Sequence, residues 1–325
     1  MNNIMPLVSI VITSYNRAHW IGQAIQSALD QDYHNLEIII SDNNSTDNTD
    51  EVIKSFCSDS RIKYYKNETN IGMLANFQKA SLELASGEYI TYISSDDYLV
   101  NNKFISDSIS KFCEYPNLNQ VSAKMLIHNV KENTLVDNVC FTNCKNTFYK
   151  EIYVKGEEVF LKFPKVYSLC FGGYIFKRSH LNKITCFTEC ICGDILIILQ
   201  LLLLGDISFN KENTYVQRVH ENNFSNQNIN SDYYITNLSH ITIPAQFALT
   251  NSNIKFNLIE KWKKQMLFNY VRTAYITLGK QTNEELKYLM QYIQINFPDS
   301  HKSILSNFRY KLHAINRTFK IFYKR

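Results

Sequence analysis

The stretch Leu36-Glu37-Ile38-Ile39-Ile40-Ser41-Asp42-Asn43-Asn44-Ser45-Thr46-Asp47 decides the fold. A short apolar run that breaks into turn-forming and acidic residues has the signature of a buried strand ending at a loop. Tyr89-Ile90-Thr91-Tyr92-Ile93 repeats the arrangement and runs into Ser94-Ser95-Asp96-Asp97. Val8-Ile12, apolar except for Ser9, fits a parallel strand covered on both faces and leads into Thr13-Ser14-Tyr15-Asn16. Helical stripes fill the gaps. Trp20, Ile21, Ala24, Ile25, Ala28 and Leu29 form one, and Val52, Ile53 and Phe56 form another. The second has Asp47, Asp50 and Glu51 at its start, where the helix dipole favours acids. Ile62-Tyr65 is expected to be a third strand. Phe77, Ala80 and Leu84 mark a helix that stops at Ser86-Gly87. Strand and helix alternating in this way predict an α/β, doubly wound, Rossmann-like sheet. Such sheets bind ligands outside the carboxyl ends of their strands, where these acidic clusters fall.

The rest of the 325 residues is less regular. Between Asn101 and Asn228, strand-like pieces (Val121-Ile127, Tyr174-Phe176) mix with the greasy helical run Gly193-Leu204, and from Ser231 onward the pattern is helical. Three regions are expected: 1–110, 111–228, and a helical 229–325. The hydrophobic fraction of 45% argues for a folded core, and a net charge of +4 is too mild to suggest a nucleic-acid partner. Ile195-Leu204 is about half the ~20 residues a spanning helix needs, and Leu7-Ile12 lacks the basic flank of a signal peptide. A cytoplasmic protein whose eight cysteines are reduced thiols is expected. Cys186-x3-Cys190-x-Cys192 has no second pair at zinc-site spacing, so zinc ranks low. At the end of the chain Leu305, Phe308, Leu312, Ile315, Phe319 and Phe322 form an amphipathic stripe among Arg309, Lys311, Arg317, Lys320, Lys324 and Arg325. It suits either a helix docked on its own protein or one lying peripherally on the anionic inner face of the cell membrane.

The chemistry follows from the strand ends. Carboxylates there can hold a nucleoside and a hard divalent cation that bridges to phosphates. Neither G-x-G-x-x-G nor G-x-x-x-x-G-K-[ST] occurs, so the two glycine-loop phosphate cradles are absent. Tyr15 is suited to packing on a base, Asn16 to hydrogen-bonding it, and Asp42 to accepting from a base N–H or a ribose hydroxyl. Taken alone, Asp194 is a favoured N-cap for the greasy helix and His220 an ordinary histidine.

The order and spacing of several blocks carry more. Val8-Ser-Ile-Val-Ile-Thr-Ser-Tyr-Asn-Arg17, Ser41-Asp-Asn-Asn-Ser-Thr-Asp47, Asn70-Ile-Gly72 with Asn76, and Ser94-Ser-Asp-Asp97 are followed by Phe171-Gly-Gly-Tyr-Ile-Phe-Lys-Arg178, Cys192-Gly-Asp194 and Gln217-Arg-Val-His-Glu-Asn-Asn223. Over residues 7 to 225 the chain resembles a family two glycosyltransferase of the GT-A type. The resemblance implies a GT-A mixed sheet with an appended helical region. It also implies an inverting transfer of a sugar from a nucleotide-diphosphate donor, of the UDP-sugar kind, to a glycan or lipid-linked acceptor in bacterial surface polysaccharide synthesis. It implies Asp194 as catalytic base, and Asp96 with His220 as ligands of Mn2+ or Mg2+. Thr13, Tyr15, Asn16, Arg17 and Asp42 would lie on the donor, as would Asn70, Gly72 and Asn76. Ser95, Asp97 and Arg218 would complete the donor site, with Arg218 near the phosphates. Ser94 stands where the first aspartate of the family's D-x-D motif is usual, and Gly193 where an acidic residue often precedes the base.

A non-catalytic nucleotide- or glycan-binding module is the alternative from another class, and retention of Asp96, Asp194 and His220 argues against it. A nucleotidyltransferase ranks lower, because Thr13-Ser14-Tyr15-Asn16 is a poor triphosphate cradle. If the terminal stripe binds membranes, deleting the residues after Ile304 releases the protein from anionic vesicles in a sedimentation assay; unchanged sedimentation identifies a docked helix.

Overall fold

The computed structural model describes residues 5–137, 153–163, 172–184, 193–221, 223, 229–278 and 283–300. The cysteine cluster 186–192 and the amphipathic stripe from Leu305 lie outside the described residues. Ten strands form one mixed sheet: β1 (Val8–Ser14), β2 (Leu36–Asp42), β3 (Ile62–Lys66), β4 (Tyr89–Ser94), β5 (Tyr98–Leu99), β6 (Leu118–Asn129), β7 (Thr134–Asp137), β8 (Tyr153–Val154), β9 (Tyr174–Lys177) and β10 (Asp206–Val219). The order is β3-β2-β1-β4-β9-β6-β10-β5, with β7 on β6 and β8 on β10. The four strands expected in the first hundred residues are all present and mutually parallel. β9 then runs antiparallel between β4 and β6, which makes the sheet mixed.

Every residue of β1 and β2 is buried, the price of being covered on both faces. Alternate side chains serve opposite layers. Ile10, Ile12, Ile38 and Ile40 pack with α1 (Ile21–Leu29), α2 (Thr49–Phe56) and α4 (Phe104–Glu114). Val11, Ile39 and Ile90 face the other way, toward α3 (Met73–Lys79), α5 (Gly156–Lys162) and α6 (Gly193–Leu201). The helix expected around Ala80 and Leu84 is α3 followed by one π-turn segment, Ala80–Leu84, closed by Ala85 N donating to Ala80 O at 2.9 Å.

The helical tail consists of α7 (Ser231–Thr236), α8 (Ser239–Asn251), α9 (Phe256–Leu278) and α10 (Asn283–Asn296). It shares a single apolar core with the second layer. Trp262 of α9 stacks on Phe160 of α5 at 4.4 Å and donates its indole N–H to the Phe160 carbonyl at 2.8 Å. α6 is buried almost all round because it lies between the sheet and this tail. Among the described residues no helix is long and apolar enough to cross a membrane.

At the amino end of β2, the buried Glu37 ties three segments together. Its carboxylate accepts from Ser9 Oγ at 2.5 Å, Ser86 N at 2.6 Å, Gly87 N at 3.1 Å and Lys63 Nζ at 2.6 Å. Gly87 is obligatory there, since a Cβ would sit 2.6 Å from the backbone nitrogen of Ser9. Burial pushes the Glu37 pKa up, but the bonds from Lys63, Ser9 and Ser86 outweigh it and bring the pKa down from 4.5 to about 2. A carboxylate depressed in the folded state adds stability above its unfolded pKa and loses it as pH falls toward the folded one. Urea midpoints measured from pH 5 down to pH 2 are expected to fall more steeply for the parent than for Glu37→Gln, which starts less stable; parallel curves would refute the role of this carboxylate.

Candidate functional site

β1 lies between β2 and β4, and the strand order reverses across it. This is the switch point at which a doubly wound sheet leaves a crevice beyond its strand ends. The loops after β1 and β2 are stitched to each other there. Asn43 N donates to Ser14 O at 2.8 Å, and Asn16 N donates to Ser45 Oγ at 2.9 Å. Asn16 is left-handed at φ +52°, a conformation asparagine tolerates, and its Oδ1 accepts from Thr46 N at 2.8 Å. Arg17 N donates to Thr49 Oγ1 at 2.9 Å, and Ala18 N donates to Asp47 Oδ2 at 3.2 Å. Asp42, fully buried, accepts from Ser45 N at 3.0 Å and Ser45 Oγ at 2.5 Å through Oδ1. Its other oxygen faces Tyr64 OH at 3.4 Å and Lys66 Nζ at 3.8 Å. Thr13 Oγ1 pairs with Tyr92 OH at 2.9 Å, whereas Tyr15 is exposed at the crevice loop.

An asparagine network fixes the next loop. Asn43 Nδ2 donates to Asn70 Oδ1 at 2.8 Å, and Asn43 Oδ1 accepts from Ile71 N at 3.0 Å. Asn76 takes Ser41 Oγ at 2.7 Å and Asn67 Nδ2 at 2.8 Å, and it donates to Ser41 O at 3.0 Å. Asn70 also receives Gly72 N at 2.9 Å, and Gly72 stands at φ +88°. Nothing crowds Gly72, so its backbone angle is what demands glycine.

The Ser94–Asp97 turn closes with Asp97 N donating to Ser94 O at 2.9 Å, and Ser95 is buried within it. Its two carboxylates point to different tasks. Asp96 accepts from Ser94 Oγ at 2.5 Å on Oδ1; Oδ2 meets Arg17 Nε at 3.3 Å and His220 Nε2 at 3.1 Å. Burial raises the Asp96 pKa, but Ser94, Arg17 and His220 more than reverse this and hold it below the usual carboxylate range. Asp97 turns inward, accepting from Tyr215 OH at 2.6 Å and Arg218 N at 2.8 Å. Burial and the neighbouring Asp96 charge push its pKa up to about 8. Tyr215 is seated by two glycines: a Cβ on Gly172 would lie 2.2 Å from its ring, and Gly173 is at φ +73°.

Asp96 Oδ2 and His220 Nε2 therefore converge, with a guanidinium already at the same oxygen. Among the described residues no third His, Cys, Asp or Glu joins them to form an all-protein cage. A pair of this kind fits Mg2+ or Mn2+, which take one or two protein ligands and complete their shell with phosphate oxygens and water. Asp194 lies in the first turn of α6, where burial lifts its carboxyl above the usual range. Gly193 packs α6 onto α3: a Cβ there would stand 2.5 Å from Leu74, two residues after Gly72. Arg218 is buried, with its guanidinium on Asp96 O at 2.5 Å and on Gln23 Oε1.

Sequence reasoning gave Trp20 only a place in a helical stripe, whereas the helix starts at Ile21, and it passed over Gln23, Tyr98 and Tyr215. Nothing local marks them, because each acts across more than seventy positions. It also missed β5 and the strand β10. The alternation Tyr215, Gln217, Val219 against Val216, Arg218 was the available signal for the latter.

The model of the family "Glycosyl transferase family 2" matches residues 9–185. An Escherichia coli UDP-Glc:alpha-D-GlcNAc-diphosphoundecaprenol beta-1,3-glucosyltransferase, WfaP, is 45% identical over 105 residues, 32% of this chain and 41% of the relative. A Haemophilus influenzae uncharacterized glycosyltransferase is 41% identical over 100 residues, 30% of this chain and 40% of the relative. The chain thus spans about two fifths of the length of these relatives. Among solved structures, Staphylococcus aureus TarS 1-349 in complex with UDP-GlcNAc superposes with a TM-score of 0.72 at 19% identity, covering 94% of this chain and 86% of that one. That likeness establishes the GT-A sheet with its C-terminal helices.

Tyr215→Phe removes a buried hydroxyl that serves Asp97, and is expected to cost about 2 kcal/mol of stability in urea unfolding; a change below about 0.5 kcal/mol would show that the bond contributes nothing net.

Proposed function

The chain belongs to glycosyl transferase family 2, and from that premise we propose that it moves a sugar from a UDP-linked nucleotide-diphosphate donor to a hydroxyl of a lipid-linked or glycan acceptor. The observation that carries the reading is the convergence of Asp96, just past β4, and His220, just past β10, beside Arg17 from the loop after β1. The E. coli relative, by its name, uses UDP-Glc and a diphosphoundecaprenol-linked acceptor. A Campylobacter jejuni relative, 39% identical over 99 residues, is named for a PP-undecaprenol acceptor. With an acceptor of this kind the enzyme would work peripherally at a membrane surface in polysaccharide synthesis, with the terminal amphipathic stripe as one means of contact.

In this reading Tyr15 packs on the base, Asp42 and the Asn16 loop hold the nucleoside, and Asn70, Gly72 and Asn76 shape the wall beside it. Thr13, Ser95 and Asp97 support that wall from within. Asp96 and His220 would hold a cation, Mn2+ or Mg2+, which when bound would supply Lewis-acid stabilisation to a diphosphate leaving group. Arg17, beside Asp96, adds positive charge where the leaving group becomes more negative. Asp194 takes the proton of the acceptor hydroxyl. Its raised pKa makes it a stronger base but requires a higher pH to ionise it. Attack from the face opposite the diphosphate inverts the anomeric centre.

A hydrolysis screen of UDP-, GDP- and dTDP-sugars with and without manganese tests the activity and the donor class together; no turnover of any donor, with binding retained, would favour the non-catalytic module. Asp194→Asn is expected to lower transfer by roughly 10²–10⁴ while donor affinity stays within about twofold. Asp96→Ala is expected to weaken donor binding only when the cation is present. The parent rate should fall on the acid side at a pH above the usual carboxylate range; a profile flat down to pH 4 would rule out Asp194 as the base.

A further inference from the structure

We propose that Arg218 is a positioning residue rather than a phosphate ligand: with Trp20 it fixes the Asp96 main chain and sets His220 against the Asp96 carboxylate. The inference rests on the donor site proposed above and deepens it.

Arg218 is 2% exposed. Its guanidinium carbon lies 4.7 Å from the ring centroid of Trp20 and 4.4 Å from that of Tyr98. A desolvated cation between two aromatic rings is held by their quadrupoles, and it is held in place. Its N–H groups are turned inward. Nη1 donates to the Asp96 carbonyl at 2.5 Å and Nη2 donates to Gln23 Oε1. Among the described residues, the remaining Nε is buried and has no hydrogen-bond partner. A phosphate ligand would present this planar fork outward. The main chain of Arg218 adds a second tie to the same turn, its N donating to Asp97 Oδ1 at 2.8 Å.

Trp20 links this clamp to the cation ligands. Its indole also stacks on His220, with ring centroids 5.8 Å apart and an interplanar angle of 24°. His220 lies two residues beyond Arg218, and its Nε2 is 3.1 Å from Asp96 Oδ2. One aromatic ring therefore orients both the residue that grips the Asp96 backbone and the imidazole that faces the Asp96 side chain. Groups that orient metal ligands from behind typically carry 10- to 100-fold in metal affinity.

The test uses the full chain, UDP and Mn2+. UDP affinity is measured by calorimetry with chelator and with Mn2+, and Mn2+ affinity of the UDP complex by electron paramagnetic resonance. Arg218→Lys keeps the charge but loses the planar fork. It is expected to leave chelator-state UDP affinity within about twofold and to weaken Mn2+ binding by about tenfold or more. Trp20→Leu should do the same, and Trp20→Phe should restore most of the loss. Equal weakening of UDP binding with and without Mn2+ in Arg218→Lys would make Arg218 a phosphate ligand and overturn the proposal. Unchanged Mn2+ affinity in both Arg218→Lys and Trp20→Leu would overturn it as well. If circular dichroism shows that Arg218→Lys does not fold, the Trp20 pair decides by the same outcomes. A parent that gains no UDP affinity from Mn2+ overturns the donor-site reading itself, before any variant is made, and this inference with it.

Discussion

Two adjacent carboxylates buried in one turn set the terms for the rest of this structure. Asp96 is 7% exposed and Asp97 6%. Like charges this close cannot both stay ionised in a low-dielectric site without compensation. The fold separates them by function. Asp97 faces the interior, where a tyrosine hydroxyl and a backbone N–H satisfy both of its oxygens. Asp96 faces a guanidinium and an imidazole and is held in its charged form. The anchoring of Asp97 adds to the bonds from Ser94, Arg17 and His220 that hold the Asp96 carboxylate in one direction.

Apart from Arg17 in the loop after β1, the residues from other segments that supply this compensation lie on β10 and just after it, more than a hundred positions along the chain. β10 reaches the turn because it pairs in parallel with β6 and antiparallel with β5, whose Tyr98 opposes Val216. The glycine pair at 172–173 leaves room for the Tyr215 ring. Sheet closure and site assembly are therefore the same event. The 1–110 and 111–228 regions meet in one continuous sheet, and the tail from Ser231 shares a core with its second layer.

Polar networks at the two ends of the parallel strands do different work. At the amino ends Glu37 is saturated with donors and locks β1, β2, β3 and the segment before β4 together. At the carboxyl ends the asparagine network and the Asn16–Ser45 clip hold loops whose outer faces stay exposed at Tyr15, Ile71 and Met73. Buried amides satisfied on every side specify one loop arrangement, which is what a binding wall requires.

The strand–helix order of the first hundred residues could be read directly from the chain, and so could the placement of Asp42 and Asp96 at strand ends. An apolar run followed by turn chemistry is a local signal, and sheet geometry turns it into position. The π-turn at Ala80–Leu84 and the two-residue strand β5 were not legible, since neither changes the periodicity of its segment enough to register. The direction of Arg218 was not legible either. As one residue in a motif it suggested phosphate; only the packed structure shows its contacts with Trp20, Gln23 and Tyr98, on which the proposed positioning role rests. The sequence by itself determined which residue types stand at the crevice, because that depends on neighbours along the chain. The contacts each of them makes came only with the folded chain, because orientation is set by segments far apart in sequence.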